Sequence, residues 1–307
     1  MRLPPLLRRL LTVAFVGAAL GFLALTAVRN WQDVRRFDWH VRPVPLLLSL
    51  AAMIAVLAWG VFVWSRVLAR FRQPRPSYPA LLRIWFFSNV TRYIPGKIWQ
   101  FVATARLARN AGHSGTLTLT SLILHAGFSL LAAGVIAAET LPLRRLGADL
   151  ASTVGIRVAA PALALLLVHP ALINAALRLV PRALHREVLV WHGTWSDGAS
   201  LLLLNLLSWV FQGAAFFLFV DALVPVPWTV LLPLAGVNAL SFAVGYVAFV
   251  VPAGLGVREA AMTLLLGSFA PDGVAAVIAA LSRLWIIAAE VGGAILAALL
   301  PNGRQRP

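Results

Sequence analysis

Val251-Pro252-Ala253-Gly254-Leu255-Gly256-Val257-Arg258-Glu259 interrupts an apolar run with a proline, two glycines and two adjacent opposite charges. Arg92-Tyr93-Ile94-Pro95-Gly96-Lys97 does the same earlier in the chain. Proline lacks an amide hydrogen and glycine tolerates positive φ, so each stretch ends one helix and starts another. In a bilayer, broken helices that carry charge mark places where something polar is handled.

The sequence around both breaks is that of a membrane protein. Of 307 residues, 61% are hydrophobic and 12% charged, a balance that cannot cover a soluble surface. Runs of about 20 apolar residues, enough to cross roughly 30 Å of hydrocarbon as helices, fall at 10–28, 44–64, 117–138, 157–180, 201–223, 228–251 and 274–300. The stretches 80–108 and 254–270 are interrupted or short and read as re-entrant or half-spanning helices. The expected fold is an all-α polytopic bundle of about seven or eight crossings with two broken helices. The 10–28 segment follows Arg2, Arg8 and Arg9 like a signal peptide. It lacks a small-x-small cleavage site and reads as an uncleaved first span. The longest loops are too short to bury a core of their own, so the chain is one membrane domain, 1–307.

The formal charge is +16, and the basic residues lie between the apolar spans, where they set orientation; nucleic acid is not the expected partner. An N-terminus in the cytoplasm places Arg2, Arg8, Arg9, the run from Arg66 to Arg109, Arg178, Arg182, Arg186, Arg304 and Arg306 inside a cell membrane. Arg29, Arg35, Arg36, Arg42, Arg144 and Arg145 then lie outside, and the Arg29 to Arg42 loop argues against this orientation. Nine Arg and Lys residues from Arg66 to Arg109 have no acidic neighbour between Asp38 and Glu139. Such a zone attracts anionic headgroups at about 1 kcal/mol per basic residue, although orientation alone accounts for it. No cysteine is present, which excludes disulfides and thiolate chemistry.

After the first break a new helix would offer its free N–H groups together with Lys97, the chain's one lysine, as an anion site suited to a phosphate. The alternative is a tight Pro95-Gly96 turn at the surface with Lys97 reaching water. At the second break, Arg258 and Glu259 project about 100° apart on a helix, so each needs another partner. Arg283 and Glu290 share a face of the last span, and the expected pairs are Arg258 with Glu290 and Glu259 with Arg283. An architectural network that fixes helix register is the competing reading. Asn205, Ser208 and Gln212 form one polar stripe and Asn238, Ser241 and Gly245 another, both facing the interior; Asn238 is the site candidate among them. His125 reads as a packing residue and His169-Pro170 as a kink. Trp residues at span ends form an interfacial belt.

Asn89 through Arg109, with its Arg92-Tyr93-Ile94-Pro95-Gly96-Lys97-Ile98-Trp99 core, and Pro252-Ala253-Gly254-Leu255-Gly256-Val257-Arg258-Glu259-Ala260 together resemble the two signature segments of the flippase-like membrane region of lysylphosphatidylglycerol synthases. The resemblance covers nearly the whole chain and departs from the pattern at Ala253, where a second glycine is common. It implies a lipid-translocating or lipid-binding module in stand-alone form, without the aminoacyl-transfer domain. It points to Pro95, Gly96, Lys97, Gly254, Gly256, Arg258 and Glu259 as site residues.

The leading expectation is therefore a translocator of a phospholipid or polyprenyl-phosphate lipid. Lys97, Arg92 and Arg258 supply charge, Asn238 a polar contact, and Glu259 holds Arg258 or exchanges a proton. No Gly-x-x-x-x-Gly-Lys-Ser/Thr motif is present, and no cofactor or metal is expected. The alternatives are a membrane-embedded enzyme acting on a lipid phosphate and a non-transporting scaffold for a glycosyltransferase. Against an enzyme, the sequence has no clustered acidic ligands and no activated nucleophile. Membrane lipids, and a separate glycosyltransferase or lipid-modifying enzyme, are the expected partners.

Overall fold

Backbone polar groups buried in hydrocarbon must be satisfied within the chain, and this sequence does so entirely with helices among the described residues. The computed structural model describes residues 28–29, 31–91, 98–143, 147–183, 189–248, 254 and 256–300. A short helix α1 (Trp31–Arg36) precedes the long α2 (Pro43–Leu68). Two 13-residue helices follow, α3 (Tyr78–Val90) and α4 (Ile98–Asn110), then the long α5 (Gly115–Thr140). Next come α6 (Leu150–Leu167), α7 (Pro170–Ala183) and the long α8 (Trp195–Leu223). The chain closes with α9 (Leu231–Val247), the 10-residue α10 (Val257–Leu266) and the long α11 (Asp272–Leu299).

Six of these helical stretches are long and apolar enough to cross a membrane among the described residues. The expected first span at 10–28 lies outside the described residues except for Val28. At about 20 Å each, α3 and α4 are too short to cross alone, and α10 is shorter still at about 15 Å. Large apolar side chains such as Leu47, Leu163, Leu203, Leu264 and Ile295 are exposed on the outside of the bundle, as expected of surfaces that face lipid.

One expected span is corrected. The stretch 157–180 is two helices, because Pro170 brings no amide to continue the ladder and His169 Nδ1 accepts the Ala171 N–H at 3.3 Å. The expected span at 228–251 is present over Trp228–Val247, a 3₁₀ turn followed by Leu231–Val247 as helix; Ala248 leaves helical geometry, and 249–251 lie outside the described residues. Several helix starts follow their local sequence. Thr194 and Asp197 form a reciprocal capping box on α8, and Ser114 accepts the Leu117 N–H on α5. Asp149 caps α6 and accepts the Ser152 N–H at 2.7 Å. Hydrogen bonds from the Ser152 side chain and amide hold the Asp149 carboxyl below its ordinary range.

The end-to-end contacts give the orientation of each helix. At one face, Arg70 just past α2 pairs with Asp197 at the start of α8 at 2.6 Å, and the His192 N–H reaches the Arg70 carbonyl at 2.9 Å. At the other face, Arg42 before α2 pairs with Asp221 near the end of α8, and its N–H reaches the Ala222 carbonyl at 2.8 Å. Arg83 on α3 donates to the carbonyls of Ala297 and Leu300, so α11 ends at the face where α3 starts. A Cβ on Gly236 would meet Thr140 Oγ1 at 2.4 Å, so α5 ends at the face where α9 starts.

The hairpin α3–α4 therefore enters from one face and the hairpin α9–α10 from the other. The run α2–α5 has helix lengths of 26, 13, 13 and 26 residues, and the run α8–α11 has 29, 17, 10 and 28. The same order of elements thus occurs twice in opposite orientation, the arrangement of an inverted repeat. Of the six spans, α11 is the most enclosed, with 61% of its apolar window buried, and α6 the least, at 11%.

The α8–α9 contact depends on one close approach. A Cβ on Gly213 would lie 2.3 Å from the Ala235 Cβ and 2.9 Å from its Cα, so backbone has to move. Gly213→Val is expected to cost about 1–3 kcal/mol and lower the melting temperature of the detergent-purified protein. Gly134→Ala, where nothing lies within 4 Å, should leave it unchanged.

Candidate functional site

The second break is built on two glycines that no other residue replaces without strain. Gly254 has φ +64° and Gly256 φ +82°. A Cβ on Gly254 would fall 2.5 Å from the Gly245 carbonyl oxygen, and one on Gly245 would fall 2.8 Å from the Arg258 Cβ. The chain leaving α9 thus folds back against it, backbone to backbone, before α10 starts.

One N–H at the start of α10, that of Gly256, finds an internal acceptor. Glu259, third residue of the helix, reaches back to accept the Gly256 N–H through Oε2. Its Oε1 lies 3.5 Å from Arg283 Nη1 on α11, so the expected Glu259–Arg283 pair is present. Arg258 projects toward α9, where Nη2 donates to Asn238 Oδ1 at 3.3 Å. Asn238 Nδ2 in turn donates to Gln212 Oε1 on α8 at 3.3 Å. Arg258 is 5% exposed, Glu259 4%, Arg283 8%, Asn238 2% and Glu290 1%, so all five face protein, not lipid.

At the first break, Asn89 near the end of α3 and Gln100 near the start of α4 face each other across the interruption. Gln100 Nε2 donates to Asn89 Oδ1 at 2.6 Å. Gln100 stands third in α4, as Glu259 stands third in α10. Arg92, Pro95, Gly96 and Lys97 lie outside the described residues.

Between the hairpins is a cavity of about 150 Å³. Asn89 and Gln100 line it from the first hairpin, His125 and Ser129 from α5, Asn205, Ser208 and Gln212 from α8, Tyr246 from α9 and Glu290 from α11. Trp85, Phe101, Trp209 and Phe242 supply aromatic wall. Trp209 donates its indole N–H to the Ser129 carbonyl at 2.9 Å and meets Phe242 edge-on at 5.1 Å. His125 Nδ1 is buried and has no hydrogen-bond partner among the described residues.

Of the described residues singled out from sequence, Glu290, Asn205, Ser208, Gln212 and His125 line this cavity. Asn238 and Arg258 stand one and two hydrogen bonds behind its Gln212 wall. Glu259 and Arg283 brace the second hairpin against α11, and Gly254 and Gly256 shape its turn. The polar stripe Asn205, Ser208 and Gln212 faces the cavity as a unit. The pair Asn89–Gln100, and Tyr246, were not singled out. Isolated polar residues beside a break carry no periodic signal, and only their location next to Pro95-Gly96 could have marked them. Neither a protein-family model nor a curated protein sequence matches this chain.

The cap and the ion pair on Glu259 are separable. Glu259→Gln keeps an acceptor for the Gly256 N–H and loses the charge facing Arg283, whereas Glu259→Ala loses both. Glu259→Ala is expected to destabilise the protein by about 3–5 kcal/mol and Glu259→Gln by clearly less, read as melting temperatures in one detergent. Equal losses would assign the whole effect to the ion pair.

Proposed function

We propose that this chain is a lipid translocator of the cell membrane, handling the polar headgroup of a phospholipid or polyprenyl-phosphate lipid in the cavity between the hairpins. The observation that supports this most is two helix-break-helix hairpins that enter from opposite faces and meet around a cavity lined in part by hydrogen-bonding side chains. Bringing a polar headgroup into hydrocarbon without partners costs several kcal/mol per group, and a wall of hydrogen-bonding side chains lowers that barrier.

In this reading the two hairpins form the moving parts, with the turn at Gly254 and Gly256 as a hinge. Glu259 and Arg283 keep the second hairpin attached to α11, and Arg258 relays its position to the cavity wall through Asn238 and Gln212. The resemblance of both breaks to the flippase-like region of lysylphosphatidylglycerol synthases points the same way. The proposed orientation puts the N-terminus and the α2–α3 connection in the cytoplasm.

Two measurements test this. In liposomes, the purified protein should move labelled lipid between leaflets, and Arg258→Leu should abolish movement with normal abundance and insertion. Abundance that collapses with the variant would make Arg258 architectural, and no movement of any lipid by folded wild type would leave a scaffold. In this cysteine-free background, Arg66→Cys should react with a membrane-impermeant thiol reagent only from the cytoplasmic side. Reaction from outside inverts the orientation.

A further inference from the structure

We infer that Arg157 on α6 is a binding site for an anionic phospholipid, whose phosphate it holds in the leaflet at the face where α5 ends. The site is on the rim of the bundle, apart from the cavity, and stands whether or not the chain moves lipid. Only residues 141–149 separate α5 from α6, and the Ala148 N–H reaches the Leu143 carbonyl at 3.0 Å, so α6 starts at the face where α5 ends. The other end of α6 is fastened to the start of α8. There Trp195 donates its indole N–H to the Leu165 carbonyl at 3.0 Å, and a Cβ on Gly198 would meet the Val168 oxygen at 2.4 Å.

Between these ends α6 carries a cation that has no partner among the described residues. Arg157 comes four residues after the buried Thr153 and seven before the buried Ala164, spacings that put all three on one face of the helix. That face is covered at Thr153 and at Ala164, yet Arg157 itself is exposed. No hydrogen bond or ion pair joins its side chain to a described residue. The segments outside the described residues contain one carboxylate, Glu187, which in sequence falls between α7 and α8, past the far end of α6. Pro161, four residues on, supplies no N–H for the Arg157 carbonyl, so the helical ladder leaves that acceptor unmatched as well.

An unmatched charge at the centre of a span costs about 3 kcal/mol, and the position of Arg157 offers a remedy. It stands about 10 Å along the axis from Leu150, and a helical side chain leans back toward the helix start. The guanidinium thus reaches the edge of the hydrocarbon, where lipid phosphates come within range. A phosphate matches its planar fork bidentately and supplies the missing negative charge, whereas a choline headgroup brings a cation of its own. Ile156, Leu163 and Leu167 are exposed and spaced by seven and four residues, so they form an apolar strip beside Arg157 that runs on into the membrane. The acyl chains of the same lipid lie along that strip.

The test titrates full-length protein in an uncharged detergent with short-chain phosphatidic acid, the matching phosphatidylcholine and inorganic phosphate, and counts bound molecules by native mass spectrometry. One phosphatidic acid should be held about ten-fold more tightly than phosphatidylcholine. Arg157→Gln should lose that site at unchanged melting temperature, and Arg178→Gln, an exposed arginine on α7, should keep it. Unchanged binding in Arg157→Gln overturns the assignment, because the side chain then merely reaches water. Equal loss in Arg178→Gln overturns it in favour of diffuse attraction to a basic protein. Inorganic phosphate that binds as tightly as the lipid assigns the site to the free ion and overturns the lipid. A wild-type dimer that Arg157→Gln dissociates places a second copy on this face and overturns it too. If Arg157→Gln fails to fold, wild type is crosslinked to phosphatidic acid bearing a photoreactive group near its phosphate. Label within 153–161 supports the site, and label confined to other segments overturns it.

Discussion

A helix that breaks inside a membrane exposes backbone amides where no water can satisfy them. At the start of α10 that problem is met by Glu259, whose carboxylate takes the Gly256 N–H on one oxygen and faces Arg283 on the other. The bond fixes where α10 begins, and the ion pair fixes which side of α11 it lies against. With Glu259 committed to α11, helical geometry turns Arg258 toward α9, where it meets Asn238. The wall of the cavity at Gln212 follows from that contact.

Close backbone approach makes the arrangement compact enough to work. Gly245 and Gly254 meet with no room for a side chain, which brings Arg258 within reach of Asn238. Buried charges of this kind add little net stability compared with well-packed apolar residues, yet removing one partner is expensive. At the first hairpin, Gln100 donates to Asn89 and joins α4 to α3.

The two hairpins come from opposite faces, and the polar cavity lies where they meet. The long helices α2, α5, α8 and α11 also contribute to its walls, and the most enclosed of them, α11, brings Glu290. The peripheral α6 is nearly all surface, and its exposed Val158, Leu163 and Leu166 suit contact with lipid. Inside the lipid-facing exterior, an apolar core encloses a cavity that several hydrogen-bonding side chains line.

By itself the sequence determined the class of fold, because long apolar runs in a chain with few charges have no stable alternative to membrane helices. It also located the second break, since glycines of positive φ act locally, as Gly254 and Gly256 do here. The Glu259–Arg283 pair was legible because a charge in an apolar span needs compensation and few candidates exist. Span limits were less so: 157–180 reads as one apolar run, and the missing amide of Pro170 divides it. Only the tertiary structure decided which polar residues share a cavity. Asn89 and Gln100 flank one break, whereas Gln212 and Glu290 lie more than a hundred residues further along the chain, and no local rule brings them together. The opposite orientation of the two hairpins was likewise a tertiary result, because it depends on which helix ends meet at each face, a property of packing that hydropathy does not encode.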